Sequence, residues 1–560
     1  MGDSDSDGGE GSAFLTPREA GLPAKFERWR ENQSEALEQV MIDLEEKRFV
    51  AYNIPVGGGK SPWYVALAKT MGWRTLVLTR TKGLQKQLMD DFEEIGMTDI
   101  RGRANYQCHI ASHMNCEDGL HAGCLHGKGQ SAATMLRNKC PYREAREAAC
   151  AAKLVITNYA YWPLINWYGE GLGEFDLLVL DEAHEAPQAV CDLMGVTFGS
   201  REVDRMLVAR FPKDADNSDI ETWREWSKSM LPRASMMVEK TKQQVKDAQE
   251  RGMAAPEFLL KEAAHWRALA TKLTTVCASK GPWASEPTRI SGMTGYRLEP
   301  LWPKEYAESA LFRGIPRVLL VSATAHRKTL ELLGLDEEQY VFREWPWIFP
   351  CNRSEITWLE TVRVGQKMSA EDEQALLSRI DQLIGARSDR KGVVHSVSYR
   401  LRDKIVDSSV YADRMITHDQ NSQSTAAAVE RFKRSPAPAV LVSPSIATGY
   451  DFAYDLAEYQ VIPKLPFPVV RGSRIMEARC DARRGGDPEY ADHLMVQQFE
   501  QACGRIMRAP DDRGETIVLD DNFQWVKFQC RKQFASWFWR LYRRRTTAPN
   551  PPPKLQRNER

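Results

Sequence analysis

Arg48-Phe49-Val50-Ala51-Tyr52-Asn53-Ile54, running directly into Pro55-Val56-Gly57-Gly58-Gly59-Lys60-Ser61, is the stretch whose pattern decides the fold. The first seven residues form an apolar run of strand length, the turn Gly57-Gly58-Gly59 follows, and a helical pattern continues through Lys69. A strand that turns through glycines into a helix puts backbone N–H groups where they cradle phosphate, and the helix N-terminus favours negative charge. Lys60 would then hold the β- and γ-phosphates of a nucleotide, and Ser61 would hold Mg2+. The strict phosphate-loop pattern has glycine where this chain has Ile54. Taken alone, the stretch leaves a plain glycine turn open, so the rest of the chain must decide.

The deciding context is Leu177–Leu180, an apolar strand that leads straight into Asp181-Glu182-Ala183-His184. A carboxylate emerging at the C-terminal edge of a parallel sheet lies beside a phosphate loop on a neighbouring strand. Asp181 can hold Mg2+ there. Glu182 is placed to orient or deprotonate the attacking water, a role worth roughly 10²–10⁴ in rate. An acidic strand-end turn is the alternative for an isolated tetrapeptide, and the upstream loop argues against it. Near the other end of the chain, Gln497-Gln498-Phe499-Glu500-Gln501-Ala502-Cys503-Gly504-Arg505-Ile506-Met507-Arg508 spaces Gln501, Arg505 and Arg508 on one helical face. By itself such a face is a solvated surface. In a second domain closing on a nucleotide, Arg505 and Arg508 become candidate arginine fingers, because planar guanidinium groups suit the charge that develops on the γ-phosphate.

Further candidate strands at Thr75–Leu78, Leu154–Thr157 and Val318–Val321 alternate with helical patterns such as Leu84–Phe92, which implies a parallel sheet. After a linker-like Glu344–Ser354, a second alternating region places strands at Gly392–His395, Val440–Val442, Tyr459–Ile462 and Glu515–Leu519. The chain has 560 residues, too many for one core, so several packed units are expected. The expected fold class is α/β with two parallel-sheet motor domains. The first comes in three parts, 26–104, 142–200 and 300–340, and the second spans 341–545. A cysteine-rich insertion, 105–141, and a helical charged insertion, 201–299, interrupt the first. A disordered acidic N-terminus, 1–25, and a mobile basic proline-rich tail, 546–560, complete the expectation; the tail either touches phosphate or only solubilises.

Lys plus Arg equals Asp plus Glu at 76 each, so whole-chain charge predicts nothing about nucleic acid and any binding surface must be local. No apolar run is long enough to span a bilayer, and Met1-Gly2-Asp3-Ser4-Asp5-Ser6 opens no signal peptide, so a cytoplasmic location is expected. Eleven cysteines in such a chain point to metal or cluster binding rather than disulfides.

Several ordered motifs extend this reading: Gln33 in Arg28-Trp29-Arg30-Glu31-Asn32-Gln33; Leu78-Thr79-Arg80-Thr81 with Gln85 and Leu88; Ser322-Ala323-Thr324; Ala447-Thr448-Gly449-Tyr450-Asp451-Phe452; and Lys464-Leu465-Pro466-Phe467-Pro468. With the phosphate loop, the DEAH tetrapeptide and the arginine segment, they resemble superfamily 2 helicases, and within these the XPD/DinG group, from about Phe26 to Phe523. The resemblance implies two RecA-like motors with ATP and Mg2+ between them. It assigns Gln33 to adenine, Thr79 and Arg80 to nucleic acid, Gly449 and Asp451 to a loop reaching the nucleotide, and Glu182, His184, Gln501, Arg505 and Arg508 to catalysis. His395-Ser396-Val397-Ser398-Tyr399 is a looser version of the fourth motif and is assigned no site.

Gly102-Arg103-Ala104-Asn105-Tyr106-Gln107-Cys108 resembles the beginning of the group's iron–sulfur domain, and Cys140-Pro141-Tyr142-Arg143 with Thr157-Asn158-Tyr159 its end. The resemblance implies Cys108, Cys116, Cys124 and Cys140 as ligands of a 4Fe-4S cluster. The two middle cysteines are eight residues apart rather than closely paired, and His109, His113, His121 and His126 offer nitrogen ligands, so zinc is the alternative. Cys150 reads as a small packed residue. Trp223, Trp226 and Trp266 in the second insertion, the group's helical arch, read as core rather than as base-stacking residues.

The expectation is an ATP-dependent helicase that moves 5′→3′ on single-stranded DNA and acts on tailed duplexes. It is expected to be a monomer, nucleoid-associated in a bacterial or phage-infected cell, with no membrane partner and with its tails open to a replication or repair protein. A single-strand-stimulated translocase without processive unwinding is the nearest alternative. A nucleic-acid-binding scaffold with an inactive motor is the alternative from another class, and the retention of Lys60, Asp181, Glu182, Arg505 and Arg508 argues against it.

Overall fold

The computed structural model describes residues 15–108, 115–117, 140–213, 215, 219–251, 257–365, 367–446, 450, 452–507 and 511–552. In the first half the strands are β1 (Phe49–Asn53), β2 (Thr75–Thr79), β3 (Met97–Asp99), β4 (Leu154–Asn158), β5 (Leu177–Asp181), β6 (Val196–Gly199), β7 (Trp283–Ile290), β8 (Met293–Pro300), β9 (Arg317–Ser322) and β10 (Tyr340–Glu344). Seven of these form one parallel sheet in the order β10-β1-β9-β5-β2-β4-β3. β1, β2 and β5 are buried along their whole length, which is why they read as unbroken apolar runs rather than alternating ones. Helices α1 (Gln33–Glu46) and α2 (Lys60–Met71) cover one face; α3 (Pro141–Ala151) and α4 (Ala186–Met194) pack on the other.

The second insertion holds two long helices, α5 (Ile220–Glu250) and α6 (Glu257–Cys277), but it is not wholly helical. β6, β8 and β7 make a three-stranded antiparallel sheet at its base. Trp223 and Trp266 are buried in the insertion's core, and Trp226 packs on Phe198 and Phe211, so the three tryptophans build the insertion.

In the second half, β11 (Ile356–Val362), β12 (Gly392–His395), β13 (Met415–Ile416), β14 (Val440–Ser443), β15 (Tyr459–Ile462), β16 (Glu515–Asp520) and β17 (Tyr542–Arg545) form a second parallel sheet, ordered β13-β14-β12-β15-β16-β11-β17. Two of its helices matter below, α7 (Arg474–Arg479) and α8 (Tyr490–Cys503).

Three segments expected to be loose are held. Residues 15–25 are not free: Ala20 and Leu22 are buried in the core on the α1/α2 face. Glu344–Ser354 is not an exposed linker, because Trp345 packs edge-on against Trp63 in the first unit while Trp347 and Phe349 enter the core of the second. The basic end is strapped as far as residue 552: β17 pairs beside β11, Arg387 donates to the Pro549 carbonyl (3.3 Å) and Arg390 to that of Pro552 (3.0 Å). Arg387 is fully buried and forks onto Glu515 at 2.6 and 2.8 Å, which anchors that strap. Among the described residues no helix is long and apolar enough to cross a membrane.

Candidate active site between the two sheets

The phosphate loop begins where β1 ends. Ile54, where the loop pattern has glycine, is fully buried and donates its N–H to the Ser322 carbonyl at 2.8 Å, prolonging the β1–β9 pairing by one residue. Gly59 caps α2 at φ 76°, a left-handed conformation that favours glycine, and a Cβ there would collide with Gln33 Nε2. Gln33 is buried. Its Nε2 donates to the carbonyls of Gly58 (3.2 Å) and Gly59 (2.8 Å), and its Oε1 accepts from the Arg30 N–H (2.6 Å). The side chain assigned to adenine is thus engaged in this structure with the phosphate loop, because the loop's glycines bring two carbonyls onto its amide.

Lys60, the first residue of α2, pairs with Glu182 Oε1 at 2.9 Å. Asp181 ends β5, buried, and its Oδ1 accepts from the Glu182 N–H at 3.1 Å. Glu182 sits at φ 50°, ψ 50°, a left-handed conformation that costs a non-glycine residue on the order of 1–3 kcal/mol and is characteristic of functional sites. The two neighbouring carboxyls are driven apart. Burial, then the charge of Glu182, push Asp181 above the ordinary carboxylate range against the pull of Lys60. Burial works to raise Glu182 as well, but Lys60, His184 and Arg505 together hold it below the ordinary range. Two carboxylates with one ammonium form an oxygen-rich, net negative donor set, and Asp181 with the Ser61 hydroxyl in the first turn of α2 would hold Mg2+.

From Glu182 the polar contacts continue toward the second sheet. Ser322 Oγ lies 2.7 Å from His184 Nδ1 and 3.4 Å from Glu182 Oε2, and it accepts from the Thr324 N–H at 3.1 Å. Burial lowers the His184 pKa against the pull of Glu182 and Glu185. Gln501 Nε2, from α8, donates to Thr324 Oγ1 at 2.8 Å. Arg505 donates to Gln501 Oε1 (2.7 Å), the Gln501 carbonyl (3.2 Å) and the Tyr450 carbonyl (3.1 Å). Ser322 and Thr324, quoted as a motif but assigned no site, therefore join the acid loop of one sheet to the arginine segment of the other.

The helical face expected to run through Arg508 is shorter than that: α8 ends at Cys503 and Gly504 caps it. Gly504 also makes a close approach, since a Cβ there would stand 2.5 Å from Val56 Cγ2 of the phosphate loop. Gly504→Ala is therefore expected to hold the two units apart. Overpacking of this kind typically costs about 1–3 kcal/mol, and where that cost falls on the closed state alone kcat for ATP drops roughly fivefold to 150-fold, with KM little changed because Lys60 and its loop are intact. Steady-state ATPase kinetics check this, and an unchanged kcat would mean that Val56 yields. Arg508, Gly449 and Asp451 lie outside the described residues.

Thr79 is fully buried at the end of β2, so in this structure it presents no surface to nucleic acid. Arg80 is half-buried and pairs with Asp192 (3.0 Å) and Glu185 (3.8 Å). Gln85 is buried, donating to the Ile100 carbonyl at 3.1 Å.

An antiparallel bridge between Gln107 and Asn115 and a 2.7 Å bond from the Cys116 N–H to the Tyr106 carbonyl fold Cys116 back beside the segment that carries Cys108; both cysteines are buried. Cys140 immediately precedes α3 as its N-cap residue. Cys124 and His109, His113, His121 and His126 lie outside the described residues. Among the described residues no three His, Cys, Asp or Glu side chains are grouped to hold a metal ion. Cys150, expected to be packed, is exposed on α3.

Two family models match the chain: a helicase C-terminal domain over residues 384–540, and the res subunit of type III restriction enzymes over residues 27–198. Among solved structures, one described as an XPD helicase is 14% identical with a TM-score of 0.59, covering 92% of this chain and 100% of that one. An apo XPD structure is 13% identical, TM-score 0.55, covering 91% and 100%. The Xpd4 structure of S. tokodaii is 15% identical, TM-score 0.54, covering 92% and 100%. No curated protein matches the chain in sequence.

Proposed function

We propose that this chain, a superfamily 2 helicase of the XPD-like kind whose motors hydrolyse ATP, moves 5′→3′ along single-stranded DNA and parts the duplex ahead of it. The observation that carries the reading is the unbroken polar line from Lys60 and Glu182 through Ser322 and Thr324 to Gln501 and Arg505. ATP binding would draw Lys60 from Glu182 to the β- and γ-phosphates, freeing the carboxylate to act on the attacking water. Ser61 and Asp181 would hold Mg2+, which would supply neutralising charge to the phosphates. Arg505, already bonded to Gln501, would report the γ-phosphate to the second motor, and alternating closure would become movement on the strand.

The test is unwinding of duplexes with a single 5′ or a single 3′ tail. Unwinding of the 5′-tailed substrate alone is the expected result. ATP turnover stimulated by single strands without unwinding of either would favour the translocase reading. Stimulation by RNA and not by DNA would overturn the choice of substrate.

The cysteine-rich insertion is proposed as the seat of a 4Fe-4S cluster on Cys108, Cys116, Cys124 and Cys140. The placement of Cys116 beside the Cys108 segment supports it, and zinc is the rival. Protein purified without oxygen is expected to be brown, with about four irons per chain. A colourless protein with stoichiometric zinc would keep the ATP motor and remove the cluster.

A further inference from the structure

Helix α7 of the second motor is seated on the sheet at the base of the long insertion rather than on its own motor alone. Arg479, at its end, is almost entirely buried and is bonded at every turn: Nη2 to Glu299 Oε1 (3.0 Å) and to the Pro300 carbonyl (3.2 Å), Nε to the Leu301 carbonyl (3.1 Å), and Nη1 to Gln188 Oε1 (3.0 Å). Glu299 is equally buried. At the other end of α7, Ser473 Oγ donates to Glu286 Oε2 on β7 at 2.8 Å. Between these anchors Ile475 and Ala478 share a small apolar cluster with Ala284 and Leu301, separate from the core of either motor. None of these contacts belongs to the polar line through the ATP site.

The same sheet is tied to the first motor by the chain itself, since β6 follows α4 and β8 leads on toward β9. It therefore bridges both motors. A buried guanidinium with three acceptors and a carboxylate partner cannot slide, because a small displacement would leave a charge buried and unpaired. The bond to Gln188 on α4 of the first motor is the one bond of the four that does not tie Arg479 to the sheet at the insertion's base or the residue that follows it.

We propose that Arg479 is a positioning residue that makes the insertion move with the second motor: when ATP closes the cleft, α7 stays seated, the bond to Gln188 yields, and the β6-β8-β7 sheet swings the α5/α6 hairpin relative to the first motor. This rests on the ATP-driven closure proposed above. It assigns the insertion's movement to a joint outside the nucleotide site.

The test uses the full chain with fluorophores on non-canonical residues at three exposed positions: Ile42 on the first motor, Met236 on α5 and Val410 on the second motor. Energy transfer is read with and without a non-hydrolysable ATP analogue, Mg2+ and a single-stranded oligonucleotide. In the otherwise unaltered chain, both the 42–410 and the 42–236 distances are expected to change. With Arg479→Met and Glu299→Met together, which leaves neither partner buried without its counter-charge, the 42–410 change should persist while the 42–236 change drops at least fivefold. Ser473→Ala, a milder break at the other anchor, should reduce the 42–236 change at least twofold with basal ATP turnover within twofold. A 42–236 change that survives in these variants, or that is absent in the unaltered chain while the motors close, overturns the proposal. Absence of any 42–410 change overturns the closure on which it rests, a separate result.

Discussion

Lys60→Ala is expected to bring ATP turnover down by roughly 10²–10³-fold, the loss typical of removing one donor from a pre-organised anion site, while binding of single-stranded DNA persists. The ammonium has two tasks in this structure. It stands at the first residue of α2, directly after the glycine turn proposed to cradle phosphate, and it is the partner of Glu182 at 2.9 Å. Alanine removes both, so the Glu182 carboxyl, held low chiefly by that ammonium against its burial, would rise and take up a proton more readily. A strand-binding assay alongside a phosphate-release assay separates this from global damage. Turnover that survives the substitution would mean that ATP is not held at this loop.

Glu182→Gln is expected to trap ATP. The amide keeps the side chain's size and can still accept from Ser322, but it cannot take a proton, and the loss of general-base action is worth roughly 10²–10⁴ in rate. Removing a negative charge beside the phosphates should leave ATP affinity equal or tighter. Retention of labelled ATP after single-turnover mixing, against rapid release of ADP by the unaltered chain, reads both effects. Equal turnover in the two proteins would remove Glu182 from catalysis.

Much of this site could be read from the chain before its fold was known, because its parts are local. A buried strand meeting a glycine turn and a lysine, or meeting Asp181-Glu182, announces itself within a dozen residues. What escaped depends on partners far apart in sequence. Gln33 looks like a base-contacting side chain until the loop of Gly58 and Gly59, about 25 residues on, is folded onto its amide. Arg505 looks helical in the sequence, yet the helix stops at Cys503 and its guanidinium reaches the Tyr450 carbonyl 55 residues earlier. The pair Trp283–Ile290 and Met293–Pro300 escaped because Pro287 and a half-exposed outer end blur the alternation that marks a strand. Tyr542–Arg545 shows no strand pattern in the sequence because an exposed edge strand of three arginines carries no apolar face. Arg479 belongs to no local motif, and its acceptors Pro300, at the end of β8, and Leu301, just past it, lie about 180 residues earlier.

The position of β9 has a consequence for how the chain is made. It lies in the middle of the first sheet, between β1 and β5, yet it leaves the ribosome after both insertions. Until it arrives, β1 and β5 each face a gap, and Ile54 has no Ser322 carbonyl to bond. At roughly 5–20 residues per second, the delay between synthesis of the phosphate loop and of the strand that completes it is on the order of tens of seconds. A nascent chain halted anywhere in that interval would carry Lys60 without a finished nucleotide site. ATP binding would therefore be a late event in biogenesis.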